Sequence, residues 1–329
     1  MKFKFILICS LLLLIFSVLS YQFKLTNLVF PVSILIFINV IIIIYYHRLN
    51  NKKPTPVKPL ANHEKNQLKE LEIAKRVQTA LLEVETPKID GVMIAKRCIP
   101  ATTLGGDFYT FVSNSVQSLS QKKQLPGVIE YNDTQENILG IAIGDVAGHG
   151  VSSALVMALS FGILGKIGQR ITAPKDVLKR ANEDIRKFIT NSQISHVTAI
   201  YSVFHPQTRS FIYASAGHNP ALLIKKEDQS IQELYAQGAF LGMYPDENYD
   251  EHEITLDVGD RIVLFTDGII EPINPSREMY GEDRLKQCLL EYATQPIELL
   301  IDTVLDDVKR FSKTPVLKDD QTMIIIEIT

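Results

Sequence analysis

The chain has no tryptophan, and its three cysteines, Cys9, Cys98 and Cys288, are too widely spaced for a CxxC motif or a paired framework. That excludes a disulfide-stapled scaffold and points to a reducing compartment. No His/Cys set has zinc spacing. Neither sign of charge is in excess: the formal net charge is −3. Nucleic-acid binders usually carry a basic stripe, so that class is set aside. No Walker-type glycine loop and no kinase-type lysine set occurs, so nucleotide use is not indicated.

What the chain does have is an apolar N-terminus. Phe5 to Tyr21 carries no charge, and neither does Leu25 to Tyr46. A bilayer-spanning helix needs about 20 apolar residues. The first run is at the lower limit and the second is comfortable, with Pro31 in its first turns, where a helix tolerates proline. The expectation is a transmembrane helical hairpin over 1–49 with a short external turn, Gln22 to Asn27. A signal peptide is the other reading of the first run, and the second span would then still hold the chain. Lys2 and Lys4 precede the first span, Arg48, Lys52, Lys53 and Lys58 follow the second, and the turn holds only Lys24. The positive-inside rule puts both ends in the cytoplasm.

Residues 50–61 form a basic, proline-rich linker. Over 62–86, Leu68, Leu71, Ala74, Val77, Leu81 and Leu82 recur at helical spacing. This helix either packs on its own domain or pairs two chains as a regulatory homodimer. From 87 to 329 short strands alternate with a few helices. The strands expected are Val92 to Ile99, Phe108 to Val112, Ile138 to Ile143, Val197 to Phe204, Ser210 to Ser215, Ala221 to Lys225, Ile254 to Leu256, Arg261 to Phe265 and Met323 to Ile328. The helices are Val151 to Ile167, Pro174 to Ile189 with Thr172 as N-cap, Asp283 to Tyr292 and Pro296 to Arg310. Without regular β-α-β alternation the class is α+β with mainly antiparallel sheet. Ser113 to Asn137 reads as a long polar loop, either a neutral insertion or a partner contact.

Acidic residues beside glycine or another acid recur at strand edges: Gly105-Gly106-Asp107, the stretch Gly144-Asp145-Val146-Ala147-Gly148-His149-Gly150, Thr266-Asp267-Gly268, and Asp319-Asp320-Gln321-Thr322. Singly, each is a common turn sequence. Gathered together, such carboxylates repel unless divalent cations neutralise them. An all-oxygen donor set suits Mg²⁺ or Mn²⁺. Several bridging carboxylates suggest two ions, which would activate a water for in-line attack on phosphorus.

The order of these motifs, together with the helix Ala74 to Leu82, Pro100-Ala101, Phe108-Tyr109, Asn182, Ala216-Gly217-His218-Asn219-Pro220, Gly259-Asp260 and Glu271, resembles the PPM-type metal-dependent serine/threonine protein phosphatases, in particular their bacterial SpoIIE/RsbU branch. The resemblance covers about Leu68 to Thr329. It implies an antiparallel β-sandwich flanked by helices, with two Mn²⁺ or Mg²⁺ ions at one end. It also implies Asp107 and Asp145 as metal ligands and catalytic centre, Asp145 bridging both ions. The Val146 carbonyl, Asp267 and Asp319 complete the ligand set, and Asp320 supports it from behind. His149 stands near the position of a histidine proposed as general acid in the family, at a different offset, with loop shaping as the alternative. His218 is expected to pack beneath the site. Thr110 replaces the family's usual aspartate, and Arg97 is the one arginine candidate for the substrate phosphate.

The resemblance further implies hydrolysis of phosphoserine or phosphothreonine on a protein, for example an anti-sigma-factor antagonist in bacterial partner switching. It would act from the cytoplasmic face of the bacterial inner membrane. The rivals are a non-catalytic membrane-tethered binding module and a small-molecule phosphatase or phosphodiesterase with the same metal site.

Overall fold

β-branched runs bounded by glycine and polar turns become ten strands among the described residues of the computed structural model. It describes residues 60–83, 85–113, 138–170, 172–190, 194, 196–314 and 316–329, with Ile15 and Val18. The expected hairpin, apart from those two residues, the linker up to Pro59, and the loop expected over Ser113 to Asn137, apart from Ser113, lie outside the described residues. The chain divides into two compact units, Met1–Gln67 and Leu68–Thr329.

Helix α1 (Leu60–Leu82) leads into β1 (Val92–Ile99), β2 (Phe108–Ser113) and β3 (Leu139–Val146). Helices α2 (Val151–Gly168) and α3 (Pro174–Ile189) follow, then β4 (Val197–His205), β5 (Ser210–Ala216), β6 (Ala221–Ile224), β7 (Ile231–Leu234), β8 (Glu251–Thr255) and β9 (Arg261–Phe265). A 3₁₀ turn (Asp267–Ile269), α4 (Gly281–Glu291), α5 (Ile297–Ser312) and β10 (Gln321–Ile328) complete the chain. One five-stranded sheet runs β1-β10-β9-β6-β7 and the other β2-β3-β4-β5-β8, every pairing antiparallel.

Three apolar layers hold this together. Between the sheets lie Ile141, Ile143, Phe204, Phe211, Leu264, Ile324 and Ile326. Outside one sheet, Phe108 and Tyr201 meet Met157, Leu164, Val177 and Leu178 of α2 and α3. Outside the other, Val263, Phe265 and Ile325 meet Leu300 and Val304 of α5. Strands buried on both faces explain the continuous apolar run Met323 to Ile326, which alternation alone would not predict. Full burial of one such side chain contributes about 1.5–3 kcal/mol, so the sandwich is the rigid frame for whatever its ends carry.

Helix α2 is the one helix among the described residues long and apolar enough to cross a membrane. Its Met157, Ser160 and Leu164 are buried, and it packs on β2, β3 and α3, as a core helix does. The N-cap of α3 is Ala173, not Thr172, and no side chain caps it; Pro174 at the first turn and Asp176 favour the start instead. Strand β7 was not expected from the sequence: a four-residue edge strand, Ile-Gln-Glu-Leu, is too short and polar to announce itself.

Candidate metal centre

Register brings the acidic motifs to one end of each sheet. Phe108 pairs with Gly144, so Asp107, just before β2, lies beside Asp145 near the end of β3. Met323 pairs with Phe265, which puts Asp267, just after β9, at the same end as Asp319, two residues before β10.

The Asp107 carboxylate is buried and held across the sandwich. Its Oδ2 accepts hydrogen bonds from the hydroxyls of Thr322 at 2.6 Å and Thr266 at 2.8 Å, both from the other sheet. Thr266 Oγ1 also accepts the Thr322 N–H at 3.0 Å. Asp320 turns inward. Its Oδ1 accepts the Ala101 N–H at 2.7 Å, and its Oδ2 accepts the N–H groups of Gly106 at 2.6 Å and Asp107 at 3.3 Å. It organises the loop leading to Asp107 through these three main-chain N–H groups. From α1, the buried Gln78 clasps the same loop twice: its Nε2 donates to the Gly105 carbonyl at 2.7 Å and its Oε1 accepts the Gly105 N–H at 3.0 Å.

Glycine at 106 is required by close approach. A Cβ there would stand 2.8 Å from the Val146 carbonyl oxygen, 3.0 Å from Asp145 Oδ1 and 2.5 Å from Ser153 Oγ. The two oxygens expected to ligate an ion thus converge on one cradle that a methyl group would fill. The loop after β3 turns through Gly148 and Gly150, at φ 94° and 84°, a region that favours glycine.

The electrostatics are strained. Burial raises the Asp107 carboxyl well above the usual range, and neighbouring Asp145 raises it further. Burial, then Asp267, Asp319 and Asp320, push Asp145 up to about 7. Asp267 is raised by burial and by Glu271, and Asp319 by burial and by its acidic neighbours. No lysine or arginine forms an ion pair with any of the four among the described residues. Nor do three of these side chains close tightly enough on one point to cage an ion as they stand. An open set of repelling carboxylates plus an inward carbonyl, without a protein counter-charge, fits hard divalent cations.

The other expected residues divide. His149 is exposed on the loop after β3, within electrostatic reach of Asp319. Thr110 is buried with its hydroxyl toward Gly165 of α2. Arg97 makes a solvent-exposed bidentate pair with Asp302 of α5, at 2.9 and 3.0 Å, and its side chain lines the cavity that also holds Asp107. Sequence reasoning did not single out Gln78, Thr266 and Thr322 as site residues. The threonines sit inside the aspartate motifs, and a hydroxyl beside a strand-end carboxylate was the available signal. For Gln78 the signal was its place in the Gln-x-x-Leu-Leu pattern that ends the helix Ala74 to Leu82, a motif of the resemblance to which no site role was given.

The family model described as "Stage II sporulation protein E (SpoIIE)" matches residues 135–329. Phosphoserine phosphatase RsbU of Bacillus subtilis is 27% identical over 257 residues, covering 78% of this chain and 69% of its own. Phosphoserine phosphatase RsbP of the same organism is 27% identical over 267 residues, covering 80% of this chain and 59% of its own. Among solved structures, the SiaA PP2C domain of Pseudomonas aeruginosa superposes with a TM-score of 0.64 at 19% identity, over 82% of this chain and all of that one.

Proposed function

The chain belongs to the SpoIIE family and is a PPM-type serine/threonine protein phosphatase, and from that premise we propose that its turnover depends on two Mn²⁺ or Mg²⁺ ions held by Asp107, Asp145, the Val146 carbonyl, Asp267 and Asp319. The observation that carries this is the gathering of four carboxylates at one end of the sheets, each with its pKa raised and none ion-paired to a lysine or arginine among the described residues. Bound there, the ions supply charge for the phosphoryl oxygens and acidify a water. The chain's own residues do the positioning. Asp145 interacts with Asp107 on one side and with Asp267 and Asp319 on the other, Thr266 and Thr322 fix one oxygen of Asp107, and Asp320 holds the loop. His149 shapes the mouth. Water is the nucleophile and no phosphoenzyme forms. A phosphatase assay on residues 60–329 against phosphoserine and phosphothreonine peptides, with and without Mn²⁺, tests this. Metal-independent turnover, or none on any phosphopeptide, would refute it.

The substrate in this proposal is a phosphorylated protein of the anti-sigma-factor-antagonist kind, in a partner-switching pathway. The enzyme is anchored in the bacterial cytoplasmic membrane by a hairpin over 1–49. Reporter fusions at Gln22 to Asn27 and at the C-terminus are expected on opposite sides, the C-terminus inside. A C-terminus mapped outside would overturn both orientation and cytosolic substrate.

Helix α1 is proposed to pair two chains. It has two faces: Leu71, Ala74, Gln78, Leu81 and Leu82 are at least partly buried, while Ile73 and Val77 are exposed by 52% and 58%, one turn apart. Apolar residues left outward at this spacing suit a helix–helix seam. Val77→Glu is expected to lower the mass seen by light scattering from dimer to monomer while the melting temperature shifts little. An unchanged mass would remove the support for pairing.

A further inference from the structure

We propose that His218 is a positioning residue that sets the spacing between the strands carrying Asp145 and Asp267, and thereby the affinity of the cluster for divalent cations. This rests on reading the cluster as a metal site.

His218 follows β5 in the Ala-Gly-His-Asn-Pro turn. Its main chain is anchored, because Ser215 Oγ accepts its N–H at 3.2 Å. Gly217 beside it is at φ 65°, and a Cβ there would stand 2.3 Å from the Phe240 ring. Phe240 is in turn stacked on His196 at 4.2 Å between centroids. The turn is therefore clamped, and the direction of the imidazole is set by its surroundings.

The ring touches both sheets. Nδ1 lies 2.8 Å from Thr198 Oγ1 on β4. Thr198 is the register partner of Asp145, and its hydroxyl accepts the Asp145 N–H at 3.2 Å. On the other side the ring lies against the main chain of Phe265, the last residue of β9, with Nε2 sealed from solvent and outside hydrogen-bond geometry. Phe265 is followed by Thr266, which holds Asp107, and by Asp267. One side chain thus bridges the backbone of one acidic strand end and the strand leading to another. Burial lowers the imidazole to about 4, so it stays neutral at ordinary pH. A neutral ring has one donor and one acceptor. The Thr198 hydroxyl is within hydrogen-bond reach of both Nδ1 and the Asp145 carbonyl, the latter at 3.3 Å, so the ring and the Asp145 main chain share one hydroxyl.

A ring that only fills space would matter to folding alone. The intact chain in detergent micelles separates the two cases when Mn²⁺ binding, read from the EPR signal of free Mn²⁺, is measured beside the metal-free melting temperature. His218→Leu is expected to weaken Mn²⁺ binding about tenfold, the scale of one buried hydrogen bond. His218→Gln, whose amide can accept from Thr198, is expected to restore most of it. Thr198→Val should match His218→Leu, with the double variant adding nothing further, as for two residues in one link. It also carries the test should the leucine variant not fold. Unchanged Mn²⁺ binding in a folded His218→Leu or Thr198→Val variant overturns the proposal, and so do additive effects. A wild-type chain that binds no Mn²⁺ overturns the metal reading itself, and this inference with it.

Discussion

Asp145→Asn is expected to leave a folded protein that has lost turnover by roughly a thousandfold or more, because several kcal/mol of transition-state stabilisation rest on the ions this carboxylate would bridge. The same substitution should raise the stability of the metal-free protein. The Asp145 carboxyl is pushed up to about 7 in the fold, by burial first and then by Asp267, Asp319 and Asp320. An unfolded aspartate titrates near ~3.9. Between these values the folded state holds a proton that the unfolded state has released, so metal-free stability falls as pH rises from about 4 through 7. Asparagine removes that penalty, worth up to about 4 kcal/mol for a shift of this size. At pH 8 without metal the variant should therefore melt above the wild type. Added Mn²⁺ should raise the wild-type melting temperature and leave the variant unmoved. Near-normal activity in Mn²⁺, or a variant that melts lower than wild type without metal, would sink the assignment.

The fold was readable where a strand or helix has a strong local pattern. Arg261 to Phe265, Val92 to Ile99 and Pro174 to Ile189 run as their residues suggest. Expected ends were wrong where tertiary pairing extends an element past its apolar run. Strand β3 continues through Gly144, Asp145 and Val146 because β4 supplies partners as far as Val197. Edge strands β7 and β8 take their order from neighbours, and their own residues are half polar. The site divides in the same way. Aspartates beside glycines are visible in a sequence because both residue types are depleted within strands, so four such motifs recurring in order at strand edges stand out. The groups that aim them are ordinary threonines, a glutamine and a histidine, whose partners lie 20 to 215 positions away. Only the folded register identifies these. Arg97 makes the same point from the other side: its exposed partner Asp302 comes from α5, 205 positions away, and no local pattern announces it.

Gln78→Ala is expected to weaken Mn²⁺ binding and lower turnover by about tenfold, through a residue on α1 that is not among the proposed ligands. Its amide satisfies both main-chain groups of Gly105, two residues before Asp107. Removing it leaves a buried donor and a buried acceptor, each costing about 1–3 kcal/mol if unpaired. A cavity of about 510 Å³ runs beside this clasp, lined by Gln78, Gly105, Asp107 and Asp320 among others, so water can reach part of the gap and hold the loss toward the lower end. The clasp does not stand alone. The Tyr109 hydroxyl donates to the Leu82 carbonyl, so α1 is tied to β2 on both sides of the loop. Two ties between one helix and one strand end let the helix position bias how Asp107 faces Asp145. Gln78→Glu sharpens the test, since it keeps the size but places a carboxylate against the Gly105 carbonyl, and it should be the worse variant. If α1 merely pads the domain, both variants will lower the melting temperature while the Mn²⁺ titration midpoint stays where it was. If the clasp couples helix to site, the midpoint moves, and hydrogen exchange at Gly105 and Gly106 rises with it.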